Sequence, residues 1–320
     1  MKKNKNLFRT ALVLLIILLL FILYYYAVYD EEREETKVIS VIVYGNSSER
    51  WENLRRGAEQ AADTLSAEIN LVTLSKDHDV EEQKELIQRE INNGADALMI
   101  AACDSEAMKQ ATAEIKIPIM FIESGIGDDT SKSYISADNY AMGQALGAAV
   151  TEQEIDKVKV AVICDNMQRD SVALRYEGFC DALDGKIDRL VDWEKNQNET
   201  DIAAMLFLQR ELTEEAVDVV VALDNSSTGA IIDAVENLDK DVKIYGIANT
   251  DKAVYYLDNG MIETLVYQNE FSIGYLGVQE LLGEVNYGAD EIKERMEFRA
   301  VSKEDMYSVR NQEMLFPFVK

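Results

Sequence analysis

One histidine and three cysteines set narrow limits on the chemistry open to this chain. His78 lies in the polar run Lys76-Asp77-His78-Asp79, and any Ser-His-Asp or histidine-based metal site would have to use it. Its position between a strand-like and a helix-like stretch predicts a surface helix start. Cys103, Cys164 and Cys180 show no metal-type spacing and read as buried free thiols rather than a disulfide framework. There is no P-loop, no G-x-G-x-x-G, no G-x-S-x-G and no H-E-x-x-H. Asp and Glu number 59 against 32 Lys and Arg, so carboxylate pairs occur everywhere and none marks a catalytic site. The sequence points away from an enzyme, and it implies neither a cofactor nor a metal. A net charge of −27 also argues against nucleic acid as a partner.

What the chain offers instead is polar and aromatic side chains where strand-like runs end. In the first half these are Asn46, Ser48, Trp51, Asp104, Glu123 and Ser124; in the second, Asp165, Asn166, Arg169, Asp224, Asn225, Asn249 and Gln268. Planar amide, carboxylate and guanidinium groups read vicinal hydroxyls, and a ring face packs on the C–H face of a sugar. A small polyhydroxylated ligand suits that set. Asp and Asn at strand ends also serve as turn and cap residues.

The elements that must position these groups alternate. VISVIV, residues 38–43, is an apolar, β-branched run of strand length, as in a strand covered on both faces. A helix follows, with Trp51, Leu54, Ala58, Ala61, Ala62 and Leu65 at spacings of three or four. Further strand-like runs at residues 69–74, 97–101 and 117–122 are separated by helical stretches. A second series begins near Asp138, where Asp138 or Asn139 caps a helix whose Gly143 and Gly147 permit close packing. Strand-like runs recur at 158–163, 187–191, 217–221, 242–247, 262–267 and 296–301. Alternating β and α with short connections predicts parallel sheets. Some ten strands that restart midway predict two α/β lobes rather than one sheet, and in such sheets ligands sit at the carboxyl ends of the strands.

Residues 10–29 form 20 consecutive positions without a charge, about 30 Å of helix, which matches a bilayer core. Lys2, Lys3, Lys5 and Arg9 precede them, and an acidic run follows from Asp30. The positive-inside rule then puts the N-terminus in the cytoplasm and the remainder outside, with Tyr24, Tyr25, Tyr26 and Tyr29 at the outer interface. The run is longer than a usual signal-peptide core, and YYYAVYD lacks a small-x-small cleavage site, so an uncleaved anchor is expected.

Several stretches, in order, resemble the type I periplasmic binding proteins of the ribose/galactose-binding group. They are VISVIVYGNSSERWENLRRGAEQAA, INNGADALMIAACDSEAM, SYISADNYAMGQALG, ALRYEGFCDAL, VVVALDNSSTGAIIDAV, VKIYGIANTDKAVYYLDNGMIETLVYQ and FSIGYLGVQELL. The resemblance covers residues 37–301. It implies two doubly wound parallel-sheet lobes joined by three hinge crossovers, closing on a ligand between them. The expected organisation is a cytoplasmic tail at 1–9, an anchor at 10–29 and an acidic linker at 30–36. The first lobe takes 37–137 plus 269–286, and the second 138–268 plus 287–320. Repressors of related fold carry a DNA-binding helix-turn-helix at the N-terminus, where this chain has the apolar segment. The implied role is an extracytoplasmic solute-binding protein that delivers a small polar ligand, a sugar, to an ABC transporter permease. The alternatives are a sensing module for a membrane kinase and an extracellular enzyme.

The expected ligand contacts are Asn46, Ser48, Trp51, Glu123, Asp138, Arg169, Asn225, Asn249 and Gln268. Trp51 falls where the family has an aromatic wall, and Gln268 matches a polar contact at the hinge. Arg50 stands where a second aromatic is usual, and Glu123-Ser124 where sugar binders often place Asp-Arg. Ala173 replaces a ligand-clamping Arg, while Leu223 and Ala248 replace an Asn and an Asp that hold hydroxyls.

Overall fold

The computed structural model describes residues 12–25, 36–127, 132–153, 158–183, 185–194, 200–236, 238, 240–283 and 296–315. The chain divides into two compact units, Met1–Lys37 and Val38–Lys320. In the first, residues 12–25 are helical, with large apolar side chains exposed from 44% at Ile22 to 68% at Tyr24. Among the described residues no helix is long and apolar enough to cross a membrane. Residues 10–11 and 26–29 of the expected anchor, and most of the acidic linker, lie outside the described residues.

The second unit alternates strand and helix from its first residues. β1 (Lys37–Val43) contains the VISVIV run, and Ile39, Val41, Ile42 and Val43 are fully buried. β2 (Ala67–Thr73), β3 (Ala97–Ile100), β4 (Ile119–Ile122) and β5 (Ser133–Ile135) complete the first sheet, in the order β2-β1-β3-β4-β5. β1, β3, β4 and β5 pair in parallel, with Ile39 opposite Ala97 and Leu98 opposite Ile119. Every residue of β3 and β4 is buried, as a sheet covered by helices on both faces requires. The helices are α1 (residues 12–25, in the first unit), α2 (Glu52–Thr64), α3 (Val80–Asn92) and α4 (Ser105–Thr112).

The second sheet runs β11-β10-β9-β8-β6-β7. Its strands are β6 (Lys159–Cys164), β7 (Arg189–Glu194), β8 (Val219–Ala222), β9 (Lys243–Ile247), β10 (Ile262–Gln268) and β11 (Phe298–Ser302). Its helices are α5 (Asn139–Gln153), α6 (Asp170–Leu183), α7 (Asp201–Glu214), α8 (Asn225–Glu236) and α9 (Asp251–Asp258). α10 (Glu270–Leu281) returns to the first lobe and packs on α2. The pairings are parallel except β10–β11, which is antiparallel. The second sheet is thus parallel, as expected, but for this one pairing. β10 runs up to the hinge and ends there, and the chain re-enters beside it, where Asn269 N–H donates to the Glu297 carbonyl at 3.1 Å. A strand that starts at the hinge must run away from it.

Two helix pairs hold the lobes at backbone contact. A Cβ on Gly57 of α2 would lie 2.0 Å from the Phe271 carbonyl oxygen, and one on Gly274 of α10 2.0 Å from that of Leu54. In the second lobe, a Cβ on Gly143 of α5 would lie 2.0 Å from the Arg175 carbonyl oxygen. The crossovers are stitched side by side: Gln268 Oε1 accepts from Ser136 Oγ at 3.3 Å and from Ala137 N–H at 3.2 Å.

Candidate functional site

The carboxyl ends of β1, β3 and β4 face those of β6, β8 and β9, and the loops following them form the cleft walls. The β1–α2 loop leaves Tyr44 through Gly45, whose φ of +88° suits glycine. Asp77 then anchors the loop by accepting from Asn46 N–H at 2.8 Å. Tyr44 meets Trp51 edge-on, with centroids 5.0 Å apart, and Trp51 Nε1–H donates to the Tyr44 carbonyl at 3.3 Å. Burial pushes the Tyr44 hydroxyl up to about 12, so it stays neutral. The Arg169 guanidinium, from the second lobe, lies 4.1 Å from the Tyr44 ring centroid, within cation–π range. Arg50 covers Trp51 in the same way at 4.4 Å and donates to Glu270 at 2.5 Å.

Glu123, which directly follows β4, is 2% exposed and has φ +62°. Arg175 of α6 donates to its Oε1 at 3.0 Å, while Arg175 Nε donates to Asn139 Oδ1 at 2.8 Å. Burial alone would push the Glu123 carboxyl up, but Arg175, with Arg169 and Arg50 beyond it, holds it below the usual carboxylate range. Glu123 Oε2 has no hydrogen-bond partner, and neither do Nε and Nη1 of Arg169, a side chain 1% exposed. The two groups face each other as an ion pair too long for a hydrogen bond, with Nη1 3.8 Å from Oε2. For Glu270 the balance is reversed: burial pushes its carboxyl up, and Arg50 offsets only part of that.

His78 reaches across the cleft to the Asp165 carboxylate, and both side chains are about 95% buried. This corrects the expected surface position. The β2–α3 loop opens on the same sheet edge as Tyr44, and His78 stacks on that ring at 5.9 Å. On the same side Asn166 Nδ2 donates to the Cys103 carbonyl at 2.8 Å, and Ser171 N–H donates to Ser124 Oγ at 3.3 Å. Asp224 accepts from Asp165 N–H at 2.7 Å, and Asn225 Oδ1 from Asn249 N–H at 3.1 Å.

Between these groups lies a cavity of about 200 Å³, lined in part by Tyr44, Trp51, His78, Asp165, Arg169 and Asp224. Of the expected contacts, Asn46, Trp51, Arg169 and Asn225 line it, with Glu123 buried against Arg169. Asn249 and Gln268 meet Arg50 and Glu270 in a small recess at the hinge. Ser48 is exposed outside the cavity, and Asp138 Oδ1 caps α5 by accepting from Ala141 N–H at 3.0 Å. Tyr44, Arg50, His78, Arg175 and Glu270 also stand in the cleft and were not among the expected contacts. Leu223 and Ala248 are buried, and Arg175, two residues after Ala173, donates to the Leu223 carbonyl at 3.3 Å. Among the described residues no cluster of His, Cys, Asp or Glu could hold a metal ion.

Against known proteins, residues 39–288 match the family described as periplasmic binding protein domain. The chain is 21% identical over 233 residues to the ribose import binding protein RbsB of Bacillus subtilis (strain 168), covering 71% of this chain and 74% of that one. An ABC transporter solute-binding protein from Agrobacterium vitis, solved with bound D-fucose, superposes with a TM-score of 0.78 at 20% identity, over 87% of this chain and 100% of that one. A chain of the XylFII-LytSN complex gives a TM-score of 0.72 at 18% identity, over 84% of this chain and 99% of that one. A two-lobed α/β fold and a family match over most of the length make this chain a member of the periplasmic binding protein domain family.

Proposed function

We propose that this chain is a membrane-anchored, extracytoplasmic solute-binding protein that closes its lobes on a small neutral sugar and delivers it to an ABC importer. One observation carries the ligand class: buried donors of Arg169 and the acceptor Oε2 of Glu123 pair as charges across the cleft without making a hydrogen bond. A hydroxyl both donates and accepts, so one sugar hydroxyl can satisfy both groups at once and tie the lobes together. Relatives named for ribose import and solved with D-fucose support the same class. The reading assigns no catalytic step.

The anchor is supported by α1, whose apolar side chains are exposed along its described length. A helix apolar all round needs a membrane or a protein to cover it. Retention in membranes after an alkaline carbonate wash is the expected result; release as a shortened soluble chain would contradict it. A second reading, reporting to a membrane signalling protein, is favoured by the likeness to a chain of the XylFII-LytSN complex.

A thermal-shift screen of the full chain against monosaccharides, polyols, nucleosides and furanoses tests the ligand class. A ligand at 100 times its Kd adds about 2.7 kcal/mol to the native state. A shift with a sugar is the expected outcome; no shift with any sugar, or shifts confined to the nucleosides, would contradict the proposal.

A further inference from the structure

A second compartment, of about 580 Å³, adjoins the first and is the larger of the two. Arg50, Asn225 and Thr250 are among the residues that line both, so the space is continuous. Its first-lobe wall is the start of α2, with Glu52, Asn53 and Arg56; its second-lobe wall is α8 and the start of α9, with Asp233, Asp251 and Lys252. Apart from Gly229 and Ala230 its lining residues carry polar heads, and their aliphatic stems give the wall an apolar share as well. Each of its cations has a carboxylate partner: Arg56 meets Glu52 at 2.7 Å, Lys252 meets Asp233 at 2.5 Å, and Arg50 meets Glu270 at 2.5 Å. An anion would find its cations already matched.

We infer that the cleft takes a neutral saccharide of two or more units, one ring in the first compartment and the next in the second. This rests on the proposed function and specifies the ligand of that same cleft. Polar groups from both lobes line the second compartment, so a second ring there adds contacts to closure that a single ring does not make.

Gly229 of α8 gives a direct test, because it lines only the second compartment and a Cβ added to it meets nothing within 4 Å. Gly229→Phe therefore fits the helix and fills the space. The full chain in lipid nanodiscs, free of glycosidic detergent, is titrated calorimetrically with D-glucose, D-galactose and D-ribose. Maltose, cellobiose, lactose and melibiose are titrated alongside. The expected result is a disaccharide that binds at least tenfold more tightly than either of its units. In Gly229→Phe that advantage disappears while the monosaccharide affinity holds. A monosaccharide that binds as tightly as any disaccharide, or a disaccharide indifferent to Gly229→Phe, overturns the inference and leaves the proposed function standing. Binding of neither class overturns both.

Discussion

Glu123 of the first lobe and Arg175 of the second are joined across the cleft at 3.0 Å, each side chain 98% buried. Removing one partner of such a pair leaves the other charge buried and uncompensated, so Glu123→Gln should cost about 3–5 kcal/mol at pH 7. The pH dependence follows from the lowered Glu123 pKa. The carboxylate's contribution is fully present above the unfolded value of 4.5 and is lost as pH falls through the lower folded value. Urea unfolding of wild type and Glu123→Gln should therefore differ widely at pH 7, and the difference should narrow progressively as pH falls below 4.5. A constant difference across that window would show that the carboxylate is not held ionised.

The glycines on the helix pairs should respond with opposite sign to one whose Cβ would meet open space. Gly57→Ala and Gly143→Ala force a methyl group into a backbone carbonyl, and each should lose about 3 kcal/mol, the upper part of the overpacking range. Gly229→Ala, in open space within α8, should gain about 0.5–1 kcal/mol from helix propensity. Denaturant midpoints of the three variants, compared at equal slope, measure this.

His78 and Asp138 separate closure from capping. His78→Ala removes a bond between the lobes, worth about 0.5–1.5 kcal/mol, and should speed ligand release about two- to tenfold. Asp138→Ala removes the α5 cap and should lower stability by about 1 kcal/mol with ligand affinity unchanged. Stopped-flow release rates and unfolding curves for both variants distinguish the two roles.

Much of the fold was legible because buried parallel strands leave a strong local signal. VISVIV and IMFI read as strands with no knowledge of their partners, and Gly143 announced a close helix contact that the structure places against Arg175. The direction of β11 was not legible, since it depends on which end of the hinge the chain re-enters. Strand-end position pointed to Arg169 and Asn225, which line the cavity, but could not show what the neighbours do. Trp51 was expected to offer a ring face, and Arg50 covers it. His78 looked like an ordinary loop residue because its partner Asp165 is 87 positions away. Asp138 matched a polar site residue by type, yet its carboxylate is used locally. Pairings made across the cleft have no trace in local sequence.

The most direct test of the hydroxyl-reading Arg169–Glu123 pair is a calorimetric titration of wild type and Arg169→Ala with the tightest sugar from the screen. Loss of the guanidinium should raise Kd about 100-fold, or about 2.7 kcal/mol, as expected for a buried charged hydrogen bond. Unchanged affinity in a variant that still melts cooperatively would mean that the sugar does not bind between Arg169 and Glu123, and would contradict the account.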